Sequence, residues 1–88
     1  MHLTFRQLRL FQALAEKGSV SEAAKAMHIT QPTASMQLKE MSSAVGLPLY
    51  EVIGKKIYLT EAGESLAATA REISQHWESF EQLIDATK

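Results

Sequence analysis

Apolar positions recur at helical spacing over most of this chain, and the breaks between the periodic runs are marked by cap and turn residues. Phe5, Leu8, Phe11, Leu14 and Ala15 fall on one helical face. Thr4 stands before that run with Gln7 three positions on, a capping-box pattern, and Leu3 and Leu8 occupy the staple positions around it. Gly18 supplies a left-handed stop. Ser19 with Glu22 opens a second short helix, whose small or apolar face is Val20, Ala23, Ala24 and Met27. After His28-Ile29-Thr30 comes a third. Thr30 suits an N-cap, and Pro32 lies in the first turn, where no backbone N–H is needed. Its apolar positions Ala34, Leu38, Met41 and Val45 share a narrow arc.

The pattern then changes. Gly46 and Leu47-Pro48 end the helix and turn the chain. Tyr50–Ile53 and Lys56–Leu59 are β-prone, and Gly54-Lys55 between them predicts a type II′ hairpin. Thr60 caps a last, long helix in the run TEAGE. Leu66, Ala70, Ile73, Trp77, Phe80 and Ile84 repeat there at steps of four and three, a heptad seam. No other segment is long enough to cover all of this seam from within one chain, so it predicts pairing of two copies; the alternative is a helix folded back on its own small core.

The second and third helices form the centre of this layout. A helix packing through alanines, a tight turn and a second helix with a short polar outer face make a helix-turn-helix. The outer arc of the third helix carries Pro32, Ser35, Met36, Lys39 and Ser43, with Thr33 and Gln37 towards its edge. It lacks the Glu/Lys mixture of an ordinary solvated helix. It opens with Gln, Thr and Ser, which can bond base edges and phosphates. The alternative for the pattern alone is two helices of a small bundle. With the hairpin as a wing, the predicted fold is mainly α: a winged helix-turn-helix over residues 1–60, followed by a linker helix over residues 61–88 in the same structural unit.

Composition narrows the function classes. Eighty-eight residues with 45% apolar content make one small domain, for which a dimer interface is an expected second source of stability. Without cysteine there are no disulfides and no thiolate metal sites. No signal peptide or long apolar span is evident, which predicts a soluble protein of the cytoplasm, associated with the nucleoid and not with a membrane. The net charge of −1 hides an asymmetry. Residues 1–60 hold seven basic and four acidic groups, for +3, whereas residues 61–88 hold two and six, for −4. A mildly basic head on an acidic helix is compatible with DNA binding by the head alone. His2, His28 and His76 are scattered, with no carboxylate pair, phosphate loop or nucleophile motif beside them. An enzyme, a metal site and a cofactor are therefore not expected, and His28 is read as a turn residue.

The run SVSEAAKAMHITQPTASMQLKEM, followed by GLPLYEVIGKKIYLTEAGE, resembles the N-terminal DNA-binding domain of bacterial LysR-type transcriptional regulators over nearly the whole chain. SMQLKE and IGKKIYLTEAG are similar to the subgroup that regulates carbon-fixation operons. The resemblance implies a dimer paired through the linker helix, usually antiparallel, on an interrupted palindrome of double-stranded DNA. It also implies a C-terminal domain that binds a small-molecule effector, higher oligomers of the full-length protein, and hence a fragment here. Base contacts are expected from Gln31, Pro32, Thr33 and Ser35, and phosphate or flanking contacts from Gln37 and Lys39. Lys55 and Lys56 at the hairpin tip are expected on the backbone or minor groove, and Arg6 near a phosphate. Two positions depart from the family pattern: Met36 and Val52 stand where many members carry arginine. Met36 can pack on a thymine methyl, and the two wing lysines can replace part of the missing charge. The competing function is a helical protein-interaction module in which the helix-turn-helix is only scaffold.

Overall fold

The computed structural model describes all residues 1–88. Helices α1 (Phe5–Lys17), α2 (Val20–Ala26) and α3 (Gln31–Val45) are followed by strands β1 (Tyr50–Ile53) and β2 (Lys56–Leu59), then by helix α4 (Glu61–Thr87). The caps act as the sequence predicts. The Thr4 hydroxyl accepts from the Gln7 N–H and the Gln7 side chain accepts from the Thr4 N–H, which completes the capping box of α1. Gly18 and Gly46 end α1 and α3 in the left-handed region. Ser19 accepts from the Glu22 N–H, but the return bond is not made; the Glu22 carboxylate instead meets Lys25 at 3.4 Å.

The core is small. Phe11, Leu14, Leu38, Met41 and Leu49 are its largest fully buried side chains, and Ala23, Ala24 and Ala34 let α2 and α3 approach closely. The buried face of α1 is wider than its predicted stripe. Leu10 is fully enclosed, whereas Phe5 at 38% exposure stands outside the core. The reason is that α1 packs against α2 and α3 on one side and along α4 on the other. Phe5 belongs to the α4 side, where its ring lies 5.9 Å from that of Trp77.

The antiparallel hairpin pairs Tyr50 with Leu59 and Ile53 with Lys56. Gly54 has φ 66° and Lys55 is not left-handed, as a type II′ turn requires. The base of this wing is joined to α4 by three bonds. The Thr60 hydroxyl donates to the Pro48 carbonyl at 2.7 Å and accepts from the Gly63 N–H at 3.1 Å, while the Thr60 N–H donates to the Leu49 carbonyl. Gly63 is required by this close approach, because an added Cβ would overlap the Leu49 carbonyl oxygen. Burial of Tyr50 raises its phenol above the usual value.

Helix α4 corrects the predicted seam. Ala70 is 0% exposed and so is closed off within the chain, whereas Leu66 packs half-buried against the core. Ser74 is also buried, and its hydroxyl donates to Gln12 of α1 at 2.7 Å. Further on, Trp77 meets Phe5 at the start of α1, and α4 then runs past that helix. A 27-residue helix is about 40 Å long at 1.5 Å per residue, so its last turns project and stretch the molecule to 48 Å. Ile73, Trp77, Phe80, Leu83 and Ile84 are left exposed along this end of α4.

Candidate nucleic-acid interface

The turn between α2 and α3 fixes how α3 is presented. Met27 caps α2, the His28 N–H donates to the Lys25 carbonyl, and the Ile29 N–H donates to the Ala24 carbonyl. These are the two bonds of a Schellman motif. Its left-handed position is His28, at φ 57°. Histidine is one of the few non-glycine residues that visit this region with any frequency. The role of His28 is therefore to stop a helix, and Ile29 then packs back onto the core. Thr30, next in the chain, caps α3, accepting from the Thr33 N–H and donating its hydroxyl to the Thr33 hydroxyl at 2.9 Å.

With Ala34, Leu38 and Met41 buried beneath it, α3 shows two flanks to solvent. The first is a shallow depression formed by Pro32, Ser35, Met36, Lys39, Glu40 and Ser43. Met36 is 52% exposed there, and Lys39 is the cation of the group. Glu40 is an acidic neighbour that the spacing of the polar arc does not bring out. The second flank is a concavity of about 340 Å³ towards the start of α1, where Thr33 and Gln37 meet Arg6 and Gln7 over Leu10, Met27 and Ile29. Thr33 is half-buried, and the Gln37 side-chain oxygen accepts from the Gln7 amide nitrogen at 3.0 Å. Gln31 precedes both flanks and is exposed at the helix start.

The structure thus brings Pro32, Ser35, Met36 and Lys39 together on one flank and Thr33, Gln37 and Arg6 on the other. Lys55 and Lys56 are not part of either group; they are exposed at the hairpin tip. Gln7 is legible from sequence only as a cap, because its second partner lies 30 residues away in the chain. Val52 is exposed on the same strand face as its partner Ile57, and it adds no charge to the wing. No group of three or more His, Cys, Asp or Glu side chains is placed to hold a metal ion, and no helix is long and apolar enough to cross a membrane.

Comparison with known proteins gives a consistent picture. Residues 5–64 match the family of bacterial regulatory helix-turn-helix proteins of lysR type. The RuBisCO operon transcriptional regulator of Allochromatium vinosum is 39% identical over 88 residues, which is 100% of this chain and 29% of that protein. The regulator of the same name from Acidithiobacillus ferrooxidans is 45% identical over 85 residues, 97% of this chain and 28% of that protein. The chain therefore spans under a third of the length of these relatives. Among solved structures, a CbnR_DBD–DNA complex superposes with a TM-score of 0.82 at 33% identity, covering 98% of this chain and 100% of that one. The capped helix-turn-helix, the two-stranded wing and the long final helix are those of a winged DNA-binding domain, and the chain belongs to the LysR family of bacterial helix-turn-helix regulators.

Proposed function

We propose that this domain binds a specific double-stranded DNA sequence as a two-fold homodimer, with α3 in the major groove and the hairpin on the backbone or minor groove. The observation that carries this reading is the face of α3. Its inner side is closed by Ala34, Leu38 and Met41, and its outer side offers Gln31, Pro32, Thr33, Ser35, Met36 and Lys39 on a rigid, doubly capped helix. The similarity to a domain solved with DNA supports the docking, and Arg6, Gln37, Lys55 and Lys56 are its backbone contacts. The relatives named as RuBisCO operon regulators support a role in transcription of carbon-fixation genes, without a catalytic step. In a full-length regulator of this kind, the effector site and any higher oligomer belong to the part beyond residues 1–88, and the place of action is the bacterial nucleoid. Two protomers on one operator require an interrupted palindrome.

The dimer in this reading pairs through the exposed part of α4: Ile73, Trp77, Phe80 and Ile84, with Leu83 beside them. Leu66 and Ala70 support the helix from within the chain. The division at residue 60 is one of role, since α4 and the head share the α1 interface. The same exposed stripe is what favours the second reading, an interaction module without specific DNA binding.

Gln31→Ala and Ser35→Ala test the docking. Neither side chain is in the core, so folding and dimerisation should persist. Binding to a duplex selected from a random pool should weaken by about 1–3 kcal/mol per change, the usual worth of one base-edge interaction. Binding to a scrambled duplex at the same salt should hold, because neither residue is charged. Equal weakening on both duplexes means the residues only position the backbone. Unchanged binding to both rules out α3 as the reading helix. An interaction module would show no salt-dependent DNA binding in the first place.

A further inference from the structure

We infer that Gln7 sets the hydrogen-bonding polarity of Gln37, so that the Gln37 amide nitrogen faces DNA as the free donor; the inference rests on the DNA-binding reading above. An isolated glutamine amide presents an acceptor oxygen with two lone pairs and two N–H donors, and either end can face outwards. Here a chain of bonds fixes the choice. The Thr4 backbone N–H can only donate, and it donates to the Gln7 side-chain oxygen at 3.0 Å. That turns the Gln7 amide nitrogen towards α3, where it donates to the Gln37 side-chain oxygen at 3.0 Å. The Gln37 oxygen is thereby engaged, and its amide nitrogen has no partner in the chain. The concavity it lines is bordered by Arg6, another donor.

The consequence is a fixed orientation for the amide that meets DNA. Adenine is recognised by glutamine through a donor and an acceptor together. The bond from Gln7 takes one of the two lone pairs of the Gln37 oxygen and fixes the amide with its nitrogen outwards, so that its donor is set towards an acceptor: a phosphate oxygen, the O6 or N7 of guanine, the O4 of thymine, or the N7 of adenine with the remaining lone pair on N6. Gln7 is then a positioning residue. It acts on DNA through Gln37 although it lies on a different helix, 30 residues earlier.

Gln7→Glu reverses the relay while keeping the cap. A Thr-x-x-Glu pair still makes the capping box, so the Thr4 N–H keeps its acceptor. A carboxylate has nothing to donate, so Gln37 must turn its nitrogen inwards and show its oxygen to the DNA. The added charge also repels DNA, and a double-mutant cycle with Gln37→Ala separates the two effects. Duplex affinity is measured for the wild-type domain, Gln7→Glu, Gln37→Ala and the double variant. Gln7→Glu should reduce affinity about tenfold more when Gln37 is present than when residue 37 is alanine, the scale of one charge-assisted hydrogen bond. Gln7→Met, which removes the donor without adding charge, should show coupling of the same sign and covers the case in which Gln7→Glu folds poorly.

The two sources of acceptor are told apart by the duplex. Equal weakening on a selected and a scrambled duplex identifies a phosphate oxygen, and weakening confined to the selected duplex identifies a base edge. If the effect of either Gln7 change is the same with and without Gln37, the relay is overturned while DNA binding stands. If the wild-type domain binds neither duplex, the DNA-binding reading and the relay fall together.

Discussion

Replacing Trp77 and Phe80 together by alanine should convert a dimer into a monomer, and the structure limits how large the effect can be. In the single chain these side chains are 46% and 50% exposed, because each already covers part of the other and Trp77 also meets Phe5. Aromatic side chains bury about 150–250 Å² when fully enclosed, so roughly 100 Å² of each is left for a partner. At about 25 cal/mol per Å², that is about 2.5 kcal/mol per ring, or about 10 kcal/mol for the four rings of a two-fold pair. If the interface covers half of that area, the effect is about 5 kcal/mol, between three and four orders of magnitude in the dimer dissociation constant. This is less than the figure of about 3–5 kcal/mol per residue for fully buried aromatics. The fold should survive, since Phe11, Leu14 and Leu38 lie elsewhere. Circular dichroism checks that point. Sedimentation at about 10 μM then reads the association state, a range chosen to straddle the shift expected from these areas. DNA affinity should fall with it, because each half-site would be bound singly. A double variant that sediments as an unchanged dimer refutes the assignment of this face, and so does a wild-type domain that is monomeric at high micromolar concentration.

Three further outcomes follow from local substitutions. Changing Lys55 and Lys56 to glutamine should weaken binding to all duplexes alike and reduce the log–log salt slope by about 0.9 for each phosphate no longer neutralised; an altered base preference at constant slope would show that they read sequence or shape. Gly63→Ala should destabilise the domain by about 1–3 kcal/mol in a urea melt, because the new methyl meets the backbone oxygen of Leu49, and this exceeds the gain of about 1 kcal/mol from helix propensity; a more stable variant would show that α4 can shift off the wing. His28→Gly should be neutral to stabilising by about 1 kcal/mol and His28→Val destabilising by about 1–3 kcal/mol, since only the backbone conformation at this site is at issue; equal stability of all three would contradict the left-handed stop.

The sequence alone determined the features that depend on neighbours a few residues apart. The Thr4–Gln7 box, the Thr30 and Thr60 caps, the stops at Gly18 and Gly46 and the Gly54-Lys55 turn are all local bonds or local backbone angles, so residue order specifies them. Helical period likewise marked Ala23, Ala24, Ala34, Leu38 and Met41 as core and the opposite arc of α3 as free. The stop at His28 was less legible, because histidine carries no fixed preference for the left-handed region. Tertiary structure decided the rest. The heptad seam of α4 is continuous in sequence, yet α1 covers only its first half, so Ala70 became core while Trp77 remained open. Phe5 left the α1 stripe because α4 lies on that side. Gly63 is required only because the chain before β1 returns to touch α4. Gln37 sits on the edge of the polar arc by its spacing, but the atom it offers to a partner is chosen by Gln7, which packing brings beside it. Sequence spacing gives the direction of a side chain from its own helix; which group lies opposite, and so which atom is left free, is set by how the helices pack against each other.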